Sequence, residues 1–192
     1  MDILKIIKYS LLAALLVVVG LFLHYNLPRT DVVQLTGTDV KRMDRQNPQS
    51  GSATRDVRYL NAVTRTGKIR VFRNEDTGWG WPPYFKFSSA DLSAQVQSLV
   101  QNPERPWVRV RYYGWRINMM SLFPNAVSLK IVDQNYTHIP WFNMIFVTLL
   151  AVGAIFFVRF FRRLADRFGF DERAQELSQS VRNRIKKKSS NL

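Results

Sequence analysis

Two long uncharged stretches frame the chain, and between them polar and apolar positions alternate with a shorter period. Tyr9–Leu23 reads YSLLAALLVVVGLFL, and Ile3, Leu4, Ile6 and Ile7 carry the apolar run back past Lys5 and Lys8, whose long stems can reach toward headgroups. Trp141–Val158, WFNMIFVTLLAVGAIFFV, is uncharged throughout, about 27 Å of helix at ~1.5 Å per residue against a hydrocarbon core of ~30 Å. Both predict transmembrane helices, an N-terminal anchor over 1–27 and a second span over 139–163. A cleaved signal peptide is the alternative for the first, but HYNLPRTD after the run offers no small-residue cleavage site. A buried soluble helix is the alternative for the second, and RFFRR at its end argues against it.

Residues 28–138 have the periods of a small domain. DVVQLTGTDV from Asp31 alternates like a strand, and the polar stretch Arg42–Asp56, RMDRQNPQSGSATRD, predicts a loop. VRYLNAVT and KIRVFR flank Arg65, Thr66 and Gly67 as a hairpin. In SSADLSAQVQSLVQNP, Ser88 or Ser89 is placed to cap a helix, Asp91 sits in its first turn, and Leu92, Val96, Leu99 and Val100 share one face before Pro103 stops it. WVRVRYYGW and AVSLKIV read as two more strands, with Val108, Val110, Tyr112, Val127, Leu129 and Ile131 inward. Three strands, a helix and two strands is the order of an OB-like barrel; an open α+β sheet is the alternative.

Between the third strand and the helix lies EDTGWGWPPYFKF, Glu75 to Phe87. Trp79 and Trp81 share a face if the segment is extended, as do Phe85 and Phe87, while Pro82 and Pro83 stiffen it. The expectation is that these rings close the bottom of a small barrel, where large residues supply burial that a short chain lacks. The alternatives are an exposed binding platform that includes Tyr84, and contact with a membrane interface, where tryptophan is enriched.

Charge changes the picture more than chemistry does. The net charge of +14 is distributed unevenly. The outer flanks of the two apolar runs carry Lys5, Lys8, Arg159, Arg162, Arg163, Arg167 and Arg173, whereas the inner flanks carry only Arg29, Lys41, Arg42 and Lys130. Positive charge resists translocation, so both termini are expected in the cytoplasm and the middle domain outside it. Lys68 and Arg70 with Phe72, and Arg109 and Arg111 with Tyr113, are expected on outward strand faces. In the cytoplasm such a basic, aromatic face would suggest nucleic acid; outside it the anions at hand are lipid headgroups, other envelope phosphates and acidic proteins. The tail from Asp171 predicts an amphipathic helix ending in Arg182, Arg184, Lys186, Lys187 and Lys188, a cluster suited to anionic lipid.

The absence of cysteine excludes disulfides and thiol chemistry. There is no metalloprotease, nucleophile-elbow or P-loop motif, and no cofactor is expected. His24 and His138 are too few for a zinc site.

Three features together, NEDTGWGWPPYFKF at 74–87, YYGWRINMMSLFPNAVSL at 112–129 and an apolar anchor at either end, resemble a bacterial membrane-protein family catalogued as domain of unknown function 1523. The resemblance covers most of the chain and implies an inner-membrane protein. It carries no assigned activity and therefore no catalytic residue. The expected function is non-enzymatic: a two-span inner-membrane protein whose periplasmic domain binds an anionic envelope component or a partner protein. The alternatives are a structural or regulatory subunit of a membrane complex and, third, an envelope hydrolase built on Asp56, Asp91 or Asp133.

Overall fold

A computed structural model describes residues 3–45 and 53–167. The chain divides into two units, Met1–Ile139 and Pro140–Leu192. In the first, helix α1 (Ile3–Asn26) leads into strands β1 (Arg29–Arg45), β2 (Ala53–Thr64) and β3 (Ile69–Asn74). Helix α2 (Ser89–Gln101), strand β4 (Trp107–Tyr113), a short 3-10 turn (Asn118–Met120) and strand β5 (Asn125–Ile131) follow. The second unit holds helix α3 (Trp141–Arg167).

The five strands close into a barrel in the order β1-β2-β3-β5-β4, with β4 returning to β1. This is the OB-like arrangement expected from the element order, and closure excludes the open sheet. β1 reaches both neighbours because of its length: Arg29–Gln34 pair with β4, and Val33 onward pairs with β2 through an irregularity between Leu35 and Gly37. A parallel contact of Arg73 with Asn125 joins β3 to β5. Inside, Val33, Leu60, Phe72, Val108 and Val110 meet Leu92, Val96 and Leu99 of α2. The helix face read from the i, i+4, i+7 spacing is therefore the one that plugs the barrel.

Several local expectations change. The polar stretch at 42–56 is not all loop, since β1 runs to Arg45 and β2 begins at Ala53, with Arg42 opposite Asp56. Backbone pairing needs no apolar side chains where a ribbon extends beyond the core. Phe72 points inward and is fully buried, not outward. On β5 the register shifts opposite Arg111 and Tyr112, leaving Val127 without a partner in the ladder. That extra residue reverses the side-chain phase, so Ala126 is buried and Leu129, three residues on, also packs on the core. Ile131, expected inward, is the last residue of β5 and is exposed. No side chain of Ser88 caps α2; the Asp76 carboxylate does so, accepting from the Ser89 N–H at 2.8 Å and from its hydroxyl at 2.7 Å.

Helices α1 and α3 each contain a stretch, Lys5–Asn26 and Trp141–Leu164, long and apolar enough to cross a membrane, and neither stretch is buried within the protein. α3 extends to Arg167, beyond the expected boundary at 163. The basic cluster Arg182, Arg184, Lys186, Lys187 and Lys188, with the amphipathic pattern expected from Asp171, lies outside the described residues.

Phe72→Ala is expected to destabilise the barrel by about 3–5 kcal/mol, whereas Phe87→Ala, which removes an exposed ring, should cost no more than about 0.5 kcal/mol. Denaturant titrations of the detergent-solubilised full chain, followed by near-ultraviolet dichroism, compare the two.

Candidate functional site

The last turn of an α-helix leaves carbonyls without intrahelical donors, and in apolar surroundings each needs another partner. The barrel supplies them to α1. The Gly114 N–H donates to the Tyr25 carbonyl at 2.9 Å, and the Tyr84 hydroxyl donates to the Asn26 carbonyl at 2.6 Å. In the other direction the Arg29 guanidinium donates to the Gly114 carbonyl and lies 5.3 Å over the Tyr112 ring. Gly114 has φ +90°, a backbone conformation that favours glycine, and faces Pro124 and the Tyr25 ring.

Aromatic rings hold the same turn from two sides. Trp81 stacks on Phe22 at 5.7 Å between centroids. Trp115 meets Tyr25 edge-on at 5.4 Å, and its indole N–H donates to His24 Nδ1 at 2.7 Å. At ~100° per residue, Phe22 and His24 lie about 160° apart around the helix, so the two tryptophans clasp it. Tyr113 fills the space between, stacked on Tyr84 at 4.7 Å and edge-on to Tyr25 at 6.4 Å.

The loop that carries Trp81 is built inside out. The Lys86 N–H and carbonyl bond the Thr77 hydroxyl and the Gly78 N–H, each at 3.1 Å, which pinches the segment into a closed loop. Lys86 itself is only 4% exposed, and its ammonium donates to Asn74 Oδ1 at 2.5 Å and to the Ala126 carbonyl at 2.7 Å. Asn74 donates onward to the Ser89 carbonyl and the Ser93 hydroxyl, both at 2.8 Å. Asn125 brackets Glu75 through its N–H and carbonyl, both at 3.0 Å, and donates to the Tyr113 hydroxyl at 3.0 Å. Burial pushes the Lys86 pKa down to about 8, partly offset by Asp76 and Glu75. Burial likewise pushes Tyr84 up to about 12, against the opposing charge of Arg111.

The rings expected to close the barrel bottom do not. Trp79 is 85% exposed, and Trp81, Phe85 and Phe87 are exposed as well. Trp79 meets Phe85 and Phe87 edge-on at 5.5 and 5.8 Å, so the three form one surface cluster. Barrel closure falls instead to Phe72 and Tyr112, 5.1 Å apart.

The basic strand face also resolves differently. Arg70 pairs with Asp31 at 3.2 Å, and Arg109 donates to the Tyr136 hydroxyl at 3.0 Å while lying over that ring. Tyr113 is buried beneath Tyr84 and Tyr25, Arg111 is half-buried, and Lys68 stands exposed at the β2–β3 turn. These residues stabilise the barrel wall more than they form one continuous cationic stripe.

His24 bonds Trp115, whereas His138 lies 3.5 Å from the Tyr136 hydroxyl. Among the described residues, no three of His, Cys, Asp and Glu are placed to hold a metal ion. Asp56 lines an open cavity of about 280 Å³ with Arg58, Asn74, Glu75, Asp76 and Ser89; Asp91 and Asp133 are not in its wall. Glu75 pairs with Arg73, and Asp76 is occupied by the α2 cap, so two of the cavity's carboxylates have structural work. Lys86, Asn74, Asn125 and Gly114 escape sequence reasoning; the one signal is the F-K-F order of Phe85–Phe87.

Geometry thus defines a small closed β-barrel joined without a linker to an apolar helix that it caps and clasps. The chain belongs to the family described as "Protein of unknown function (DUF1523)", whose profile matches residues 4–165. It is 38% identical over 167 residues to an uncharacterized protein of Haemophilus influenzae, a match that covers 81% of this chain and 95% of that protein. No solved structure matches the chain.

Stability should rise with pH between about 8 and 10. There the unfolded chain keeps the Lys86 proton that the folded chain sheds, a gain on the order of 2–3 kcal/mol. Above about pH 10 the sign reverses, because the unfolded chain ionises tyrosines that Tyr84, Tyr112 and Tyr113 keep protonated when folded. Denaturant midpoints against pH measure both limbs, and Lys86→Met should abolish the rising one. Separately, Gly114→Ala should cost about 1–3 kcal/mol through its positive φ, read in the same denaturant series.

Proposed function

We propose that this is a non-enzymatic, two-span inner-membrane protein with both termini in the cytoplasm, whose barrel stands on the periplasmic face and binds an anionic envelope component or a partner protein. The observation that carries this reading is the capped and clasped end of α1. Removal of the helix as a leader would strip the barrel of Phe22, His24, Tyr25 and Asn26, the residues it grips. The helix is part of the folded unit, which supports a retained anchor. Orientation follows from the excess of lysine and arginine on the outer flanks of the apolar runs.

With Arg70 and Arg109 engaged in the barrel wall, the surface proposed for an anionic ligand moves to the β1–β2 ribbon. Lys41, Arg42 and Arg58 are exposed there, and Arg58 borders a second cavity of about 350 Å³ between the ribbon and α2.

Reporter fusions after residue 100 should be active only with a periplasmic reporter and fusions after Leu192 only with a cytoplasmic one; intact mass should show that α1 is retained. A cytoplasmic signal at residue 100, or a chain lacking α1, would overturn the topology. For the binding role, native-membrane discs of the wild type should hold a component that is released by high salt and lost from Arg58→Glu. Retention of the same components by both proteins would overturn the binding surface.

A further inference from the structure

We infer that the loop Gly78–Phe87 is a lipid-inserting element, which places the Trp79–Phe85–Phe87 cluster in the headgroup and upper acyl region of the leaflet next to the barrel. The inference rests on the two-span reading of α1 and adds to it a second, non-helical contact with the bilayer.

The first observation is depth. Trp81 belongs to the barrel domain, yet it stacks on Phe22, a full turn before the end of α1. From Lys8, which marks the opposite interface, Phe22 lies about 21 Å along the axis at ~1.5 Å per residue, within the ~30 Å of a hydrocarbon core. A ring packed against that residue from outside the helix lies alongside the span. The loop therefore reaches down to the bilayer, and a spanning α1 brings lipid to Trp81.

The second observation is the polarity of the loop. Along Phe85–Phe87 the charged residue is buried and the two phenylalanines are exposed. A segment bathed in water has the opposite arrangement, because each buried ammonium costs desolvation and each exposed ring forgoes hydrophobic burial. Here the cost at Lys86 is met by two hydrogen bonds into the barrel, and the gain comes from rings that need an apolar phase outside the protein. Trp79 meets both Phe85 and Phe87, so the three present one contiguous surface rather than scattered residues. Tryptophan suits such a boundary, since its ring is apolar and its N–H still finds headgroup oxygens.

The cysteine-free chain allows a direct test. Single substitutions Trp79→Cys, Phe87→Cys, Leu16→Cys and Thr66→Cys in the full chain are spin-labelled and reconstituted in phosphatidylcholine–phosphatidylglycerol discs. Collision with oxygen is then compared with collision with a water-soluble nickel chelate. Labels at 79 and 87 should show an oxygen-to-nickel ratio clearly above that of Thr66 at the water-exposed β2–β3 turn and below that of Leu16 in mid-helix. Lipid-like Leu16 with water-like 79 and 87 would overturn the insertion while leaving the spanning helix intact. Water-like behaviour at Leu16 as well would overturn the two-span reading itself. Labels at 79 and 87 shielded from both reagents would show a protein occupant and also overturn the inference. A second measurement avoids cysteine altogether: quenching of tryptophan emission by phosphatidylcholine brominated high on the acyl chain should be smaller in Trp79→Phe than in the wild type, and equal quenching would count against insertion.

Discussion

The end of α1 is the point on which the rest of the structure depends. An apolar helix that stops beside lipid or a protein wall cannot leave its last carbonyls bare. Here the donors come from residues far along the chain: the backbone of Gly114 and the side chain of Tyr84. Meeting that requirement fixes where β1 begins, three residues after the helix ends, and hence where the barrel stands. It also explains the run Tyr112–Trp115. Tyr112 enters the core, Tyr113 spans from Tyr84 to Tyr25, Gly114 caps the helix, and Trp115 holds His24. Each residue meets a different neighbour, and together they join helix to barrel.

The same junction gives the aromatic loop its form. Tyr84 is held by the helix end and Lys86 by Asn74 and Ala126, so two alternate residues point inward and anchor the segment. Phe85 and Phe87 are consequently turned outward. A buried lysine is an expensive anchor compared with an aliphatic one, but its ammonium satisfies Asn74 Oδ1 and the Ala126 carbonyl. The polar network beneath the loop and the apolar surface above it are thus two sides of one arrangement.

The cations on the strands are likewise absorbed by their neighbours. Alternation places Arg109 and Arg111 on one side of β4, as expected. Pairing then sets Arg70 against Asp31 and Arg109 against Tyr136, and Tyr113 disappears under two other rings. A charged stripe in sequence becomes part of a wall once neighbouring strands and the loop are in place. That shifts the surface proposed for an anionic ligand to Lys41, Arg42 and Arg58, which are exposed on the β1–β2 ribbon.

The length of their uncharged runs was enough to read α1 and α3, and local periodicity was enough to read the plugging face of α2 and the β3-α-β2 order, because there each element's pattern records which of its own faces is buried. Leu92, Val96 and Leu99 are buried as that spacing requires. The extra residue at Val127 was not legible, since nothing local marks it and it exists only in the pairing with β4. The fate of the rings in Gly78–Phe87 was equally out of reach. Tyr84 finds Asn26 at a separation of 58 residues and Lys86 finds Ala126 at 40. Composition showed that the loop must bury something or face an apolar phase. Which residues turned inward was decided by hydrogen-bonding groups that only chain closure brought beneath it, and a buried donor goes where its acceptors are.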